Sequence, residues 1–482
     1  MAATGDFECS DPLINQLQSN IKWGQKGNFL DVPTDCPQRD ERLGWTGDIQ
    51  VFAQTAAFNM DIAGFMTKWA QDVADAQGPN GEIPPIVPNI RSAFPDDGGP
   101  AWADAIIICP WTMYLAYGDR RLLENSYGPM VRFMDFVLAN SPGYIRCMPD
   151  YDGWHGFGDW LSINADTPRD LIGTAFLAYD ANLMAKIADV LGKTGDAARY
   201  RQLFTDVKAA FAARYLIGSE VTSETDTPAR TSLDHANAIS RGTLPVIDYG
   251  PVDSEVFNTR LFTPSQTAYV LALHFDLLPD ELCPLAAAEL VADIERRDLH
   301  LSTGFVGAPY LPHVLSDNGQ LDIAYALLNQ KTWPSWLYSV TQGATTIWER
   351  WDGWTEEHGF QTPKMNSFNH YAYGSIGAWL YKTVTGIDID PTRPGYKHFI
   401  VRPQPGGDLT SAAAHLQTLY GELTSQWKLE DGRFTLRVTV PPNTRATVCL
   451  PVRQGRRVTL NGNLISGGIH EVPAGEYTFT MV

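Results

Sequence analysis

From the N-terminus to about residue 385, apolar residues recur at helical spacing, and no other feature limits the possible folds so sharply. Ile14, Leu17 and Ile21 share one face, as do Met130, Phe133, Met134 and Val137. A longer stripe runs through Phe176, Tyr179, Leu183, Ile187 and Val190 to a stop at Gly192, and Leu203, Val207 and Phe211 follow on the next segment. Stretches at about 48–58, 61–77, 101–117, 266–276, 285–297, 319–329 and 368–384 repeat the pattern, so roughly a dozen helices are expected, and their number suggests a ring of helix pairs. Long loops rich in Gly, Pro and Trp separate them at 27–47, 78–100, 140–165 and 330–366. Ordered loops of that length on a helical scaffold are where function concentrates.

The period changes near Thr385. Residues 385–397 hold Pro391, Pro394 and two glycines, a linker composition. Beyond it Phe434, Leu436, Val438 and Val440 alternate with polar residues, Pro441-Pro442-Asn443 turns the chain into Ala446–Leu450, and 477–482 alternates again. The reading is a mainly helical unit over 1–388 and a small antiparallel β-sandwich over 389–482. A chain of 482 residues agrees with two or three domains at ~100–200 residues each.

Charge narrows the partners. With 36 basic against 55 acidic residues, the net −19 repels phosphate backbones and anionic lipid, so neither nucleic acid nor a membrane surface is an expected partner. Cys9, Cys36, Cys109, Cys147, Cys283 and Cys449 are scattered and read as buried thiols of a reducing compartment. Residues 1–10 lack the basic start and apolar stretch of a secretory leader, and no apolar run reaches the ~18 residues of a membrane span, which gives a cytoplasmic location as the expectation.

Most catalytic signatures are missing: there is no H-E-x-x-H and no G-x-S-x-G, and Gly192-Lys193-Thr194 lacks the upstream glycine of a phosphate loop. What remains is carboxylates among aromatic rings. The densest cluster, 31–48, crowds Asp35, Asp40, Glu41 and Asp48 with Arg39, Arg42 and Trp45 into a loop punctuated by Pro33, Pro37, Gly44 and Gly47. Crowded carboxylates raise one another's pKa and an adjacent arginine lowers it, so such a loop can hold one carboxyl protonated beside ionised neighbours. The same residues would also serve as a salt-bridge network with Asp48 capping the next helix. A second cluster, Gly343–Trp354, sets Glu349 between Trp348 and Trp351, with a plain Glu349–Arg350 surface pair as the alternative. A third sets Asp159 against Trp160, and Ser367–Tyr371 carries Asn369 and His370 ahead of the last long helix; Asp159 or His370 alone would more often be structural. Paired carboxylates framed by rings, with no metal motif and no nucleophile elbow, point to glycoside hydrolysis. They do not name the sugar.

The run Asp35-Cys-Pro-Gln-Arg-Asp-Glu-Arg-Leu-Gly-Trp-Thr-Gly-Asp48 resembles the signature loop of the α-L-rhamnosidases of glycoside hydrolase family 78. Gly343-Ala-Thr-Thr-Ile-Trp-Glu349 resembles that family's second catalytic segment, with Asn369-His370 and Val440-Pro-Pro-Asn-Thr444 following in order, so the likeness extends over essentially the whole chain. It implies an (α/α)6 barrel followed by a β-sandwich, and an inverting, cofactor-free hydrolysis of terminal α-L-rhamnose from plant glycosides or oligosaccharides. By the same likeness Glu41 matches the general acid and Glu349 the general base. Asp35, Arg39, Asp48 and His370 match groups that hold the sugar hydroxyls, and Trp45, Trp102, Asp159, Trp160 and Trp351 extend this to walls of the sugar pocket. Family members commonly carry several β domains ahead of the barrel, whereas helical periodicity here begins within about a dozen residues of Met1. The expectation is that those domains are absent, with self-association as one way to cover the barrel surface they would occupy. A barrel acting on another sugar and a non-catalytic saccharide binder are the alternatives.

Overall fold

The computed structural model describes residues 1–90, 95–147, 154–216, 265–451 and 457–482. Its helices fall into two classes that their sequences separate. Helices α2 (Thr46–Asn59), α4 (Ala105–Tyr117), α6 (Arg169–Leu191), α8 (Gln266–His274) and α10 (Leu311–Asp317) are buried on most sides. Helices α1 (Pro12–Asn28), α3 (Ala63–Ala76), α5 (Arg120–Ala139), α7 (Thr194–Tyr215), α9 (Cys283–Arg296) and α11 (Leu321–Asn329) bury one stripe each. An all-apolar helix such as Ala105–Tyr117 has no face to offer water and takes the inside of the ring, while one-sided helices wrap it. Asp11, Asp119 and Ser265 cap the starts of α1, α5 and α8, and Gly118 and Gly192 end α4 and α6 in the left-handed conformation.

The sixth inner position departs from the expected continuous helix over 368–384. His370 pairs in extended conformation with Ile347, its N–H donating to the Ile347 carbonyl at 2.7 Å. The chain then coils through a 3-10 turn at Ala372–Ser375, one α turn at Ile376–Trp379, and a wide π turn at Leu380–Val384. The strand-like pairing that places His370 removes the first turn of the helix, a tertiary demand that periodicity does not record. This segment closes the ring against α2: Thr55 Oγ1 donates to the Ser375 carbonyl at 2.9 Å and accepts from the Ala378 N–H at 2.9 Å.

Two sheets form the second unit. The larger runs β1 (Gly5–Cys9), β6 (Ser411–Thr418), β7 (Gly421–Glu430), β8 (Arg433–Val440), β13 (Gly475–Met481), β10 (Val458–Leu460), β11 (Asn463–Ile465), and the smaller β12 (Ile469–Val472), β9 (Arg445–Cys449), β5 (His398–Val401), β4 (Ile387–Ile389); β2 (Trp354–Thr355) and β3 (Gly359–Phe360) pair separately. The alternation seen at 434–440 is real: in β8 (Arg433–Val440), Phe434, Leu436, Val438 and Val440 all point inward. Strand β4 begins at Ile387 (Ile387–Ile389), and β5 (His398–Val401) pairs with β9 (Arg445–Cys449) in parallel while the other pairs are antiparallel. The large sheet also recruits β1 (Gly5–Cys9) from the chain's start, which runs antiparallel to β6 (Ser411–Thr418). Trp427 Nε1 donates to the Val384 carbonyl at 2.7 Å and Ser425 Oγ to the Thr385 carbonyl at 2.6 Å, fastening the sheet to the end of the barrel. All six cysteines are free thiols, four buried and two half-buried. Among the described residues no helix is long and apolar enough to cross a membrane.

Candidate active site

The site gathers at the N-terminal ends of the inner helices. The loop between α1 and α2 is folded back on itself: the Asp35 N–H donates to the Leu43 carbonyl at 3.0 Å, and Leu43 N–H returns a bond to Asp35 Oδ1 at 2.8 Å. Gly44 lies against the Val87 carbonyl so closely that a Cβ would sit 2.1 Å from it, and a Cβ on Gly47 would meet the Trp102 ring at 2.5 Å. These two glycines let the loop settle under neighbouring segments at the start of α2.

Arg39 is the hub. Its Nε donates to Glu41 Oε2 at 2.9 Å, Nη1 to Glu349 Oε2 at 2.8 Å, and Nη2 to Glu41 Oε2 at 2.5 Å and Asp35 Oδ2 at 3.3 Å. One guanidinium thus ties together three carboxylates, one of which lies 310 positions away in sequence. The other Glu41 oxygen accepts from Trp45 Nε1 at 2.9 Å. Glu349 is pinned by its own N–H to the Ser367 carbonyl at 2.8 Å. Its side chain is 4% exposed against 22% for Glu41, so one carboxylate is buried and the other is partly open to water. The alternative of a Glu349–Arg350 pair is not what forms, because Arg350 turns to Asp352 at 2.9 Å.

Burial and the charge of Glu41 push the Asp35 carboxyl up to about 6, against the pull of the Cys36 S–H bond and His370. Burial also opposes the charge on Arg39, but Glu349 and Glu41 outweigh it and hold the guanidinium more firmly protonated than usual. Asp48, in the first turn of α2, makes no cap; its Oδ1 meets His370 Nε2 at 3.0 Å. His370 Nδ1 accepts the Ala372 N–H at 3.1 Å, so Nε2 carries the proton and donates to Asp48. Burial disfavours an imidazolium here, yet Asp48, Glu349 and Asp35 win and raise the His370 pKa.

The aromatic residues take different parts from those expected. Phe157, which sequence reasoning passed over, is the centre of an aromatic cluster, with Trp45, Trp102, Trp154 and Trp160 rings at 5.4, 4.8, 5.2 and 6.1 Å. Its position between two glycines in Gly156–Gly158 was the available signal. Trp351 is buried, stacked on Tyr373 at 3.8 Å, with Nε1 donating to the Thr303 carbonyl at 2.9 Å, so it backs the wall. Asp159 requires a correction: both its oxygens are consumed inside the protein. It accepts from Thr267 Oγ1 at 2.5 Å and from the N–H groups of Gly304, Val306 and Gly307 at 2.8, 2.9 and 3.2 Å. A carboxylate with four donors fixes the 303–307 loop and has little left for a sugar.

Asp35, Cys36 and Glu41 bring one ligand-type atom each within 4.8 Å of one another. The positive charge already in that cluster is Arg39, and Cys36 donates to Asp35 at 2.9 Å. Chemically the arrangement offers two glutamates of unequal exposure bridged by one cation, an imidazole–carboxylate pair beside them, and an indole-rich wall.

Comparison with known proteins gives a consistent result. The family model for the bacterial alpha-L-rhamnosidase 6 hairpin glycosidase domain matches residues 2–384, and that for the bacterial alpha-L-rhamnosidase C-terminal domain matches 386–464. An alpha-L-rhamnosidase of Streptomyces avermitilis is 42% identical over 99% of this chain and 42% of its own length; one of Formosa agariphila is 40% identical over 96% and 46%. The crystal structure of the Streptomyces avermitilis protein, complexed with L-rhamnose, superimposes with a TM-score of 0.86 over 99% of this chain and 42% of that one. The alpha-L-rhamnosidase described from Dictyoglumus thermophilum superimposes with a TM-score of 0.84 at 33% identity, over 100% of this chain and 50% of that one. The chain spans less than half the length of these two curated relatives.

Proposed function

The chain belongs to the bacterial α-L-rhamnosidase family, and from that premise we propose that it releases terminal α-L-rhamnose from small glycosides or oligosaccharides by a single displacement that inverts the anomeric centre. The observation that carries this reading is the bridging of Glu41 and Glu349 by Arg39. Glu41, partly open to water and held by Trp45, is the general acid toward the leaving oxygen. Glu349, the buried one, activates the water that attacks from the other face. Glu41 accepts three N–H bonds; a sugar hydroxyl that takes over Arg39 donors frees Oε2 to carry a proton. Asp35, Arg39 and the Asp48–His370 pair supply charged partners for the hydroxyls, and the rings around Phe157 supply an apolar surface for the C6 methyl of a 6-deoxy sugar. In this reading the helical unit within 1–388 does the chemistry and 389–482 supply most of the attached sandwich, to which Gly5–Cys9 and Ile387–Ile389 add strands.

The test is a proton NMR time course with an aryl α-L-rhamnoside, read before mutarotation. Early β-rhamnose supports inversion with Glu41 and Glu349 acting through a water. Early α-rhamnose overturns the mechanism, and no release of rhamnose overturns the assignment in favour of another sugar or of saccharide binding without turnover.

A further inference from the structure

We propose that the barrel carries a second binding site at the end opposite the carboxylate cluster, a chamber that takes a neutral, hydroxyl-rich molecule of monosaccharide size. The site described above lies where the inner helices begin. The chamber lies toward their far ends, lined by Gln54 of α2, Thr112 of α4, His274 at the end of α8, His313 of α10 and Lys382, with Ile389 and Tyr396 from beyond the barrel at its rim. Its volume is about 250 Å³. A single water needs roughly 10 to 15 Å³ of such space, so there is room for a solute.

The lining leaves polar groups without protein partners. Gln50, 4% exposed, donates through Nε2 to the Ala101 carbonyl at 3.0 Å, and its Oε1 has no donor. Ser375, 2% exposed, gives up its backbone carbonyl to Thr55, while its hydroxyl has no partner. Both line the chamber. Those two atoms are themselves closed to solvent, whereas the side chains of Gln54, His274 and His313 are not fully buried, line the chamber and make no hydrogen bond to a described residue, so theirs are the polar groups left for a bound molecule. Around them the rings are already fixed: His274 stacks on Tyr310 at 4.4 Å and Tyr179 on Phe275 at 4.1 Å.

The chemistry of the lining selects the ligand. Desolvation by the surrounding protein and the charge of Lys382, with Lys186 adding to it at His274, push His274 down to about 4 and His313 well below its ordinary value, so both imidazoles are neutral near pH 7. A neutral imidazole offers one donor and one acceptor, a phenol or primary amide likewise offers both, and a sugar hydroxyl asks for both. The cation at the rim, Lys382, is matched by Asp388 at 3.3 Å, with Asp317 nearby. The one cation is matched by carboxylates, so no unpaired positive charge is left to select an anion, and Trp111 and Tyr310 add ring surface suited to a pyranose face. This inference does not rest on the hydrolytic reading, because none of its residues belongs to the carboxylate cluster.

Equilibrium dialysis of the whole chain with radiolabelled L-rhamnose and D-glucose tests it, using wild type, His313→Phe, Gln54→Leu and Arg39→Ala. The expected result is a binding event for at least one sugar that both chamber substitutions weaken about tenfold or more, as loss of a hydrogen bond to a bound hydroxyl would. Arg39→Ala leaves that event in place, and the two chamber variants retain the wild-type rate on an aryl rhamnoside. Circular dichroism confirms that each variant folds, and Gln54, half-buried, is the milder change. The proposal is overturned if neither sugar binds outside the carboxylate site, or if binding is indifferent to both chamber substitutions.

Discussion

Two arginines hold carboxylates at the same end of this barrel, and they have different surroundings. Arg39 reaches Asp35, Glu41 and Glu349 from a loop, with Glu41 partly open to water. Arg146 meets Asp104 at 2.5 Å with both side chains almost wholly buried, and Asp104 Oδ2 accepts the Ala101 N–H at 2.5 Å, just ahead of Trp102. Beside them, burial and the Asp104 charge push the carboxyl of Asp180 well up. The first network leaves one carboxylate partly open to water, where the proposed function has a ligand meet it, and the second is closed to solvent beside Trp102. Similar residue types thus differ in access to water, which no local sequence window reports.

The largest expected effects would separate the two. Glu349→Gln and Glu41→Gln should each lower kcat by ~10² to 10⁴ while leaving urea unfolding near wild type. Full activity in either variant would remove that residue from the chemistry. Arg146→Met should do the reverse, costing about 3–5 kcal/mol in urea unfolding because Asp104 is left buried and uncompensated. A small loss there would mean the second network is not structural after all.

Next in size is a pH effect. The Asp35 value of about 6 stands above an unfolded value of about 3.9, so the folded chain holds an extra proton between those limits. Stability then falls as pH rises from about 4 to about 6, by on the order of 2–3 kcal/mol, and Asp35→Asn should flatten that slope. An unchanged slope would place the proton on another group. Asp159→Asn should cost about 1–3 kcal/mol, since an amide cannot accept all four N–H and O–H donors, with kcat changed only a few-fold; a collapse of kcat would make Asp159 a ligand of the substrate. The smallest effect is Trp45→Phe, which keeps the ring beside Phe157 and removes the Nε1 bond to Glu41, for about 1 kcal/mol in the activation barrier. No change in rate would mean that this bond does not orient the acid.

Much of this was legible in order along the chain. The stripes at 130–137 and 176–190 and the alternation at 434–440 announce their elements because each is a local period matched to one face of a core. The loop 31–48 declared its charges, and Glu349 its indole neighbours. Phe157 was missed because a single ring between glycines has no period, and Asp159 was misread because its donors, Thr267 and Gly304–Gly307, lie more than a hundred residues away.

The sequence by itself determined that there would be a helical unit, a β unit and two carboxylate-bearing loops, since periodicity, caps and turn residues act within a few residues of themselves. The tertiary structure alone decided that Arg39 would meet Glu349, that the 368–384 segment would begin extended to bring His370 onto Asp48, and that β1 would join the large sheet beside β6. Those pairings depend on closing a ring of helices over more than three hundred residues, and the free energy that selects them comes from burial and charge pairing between segments with no local relation.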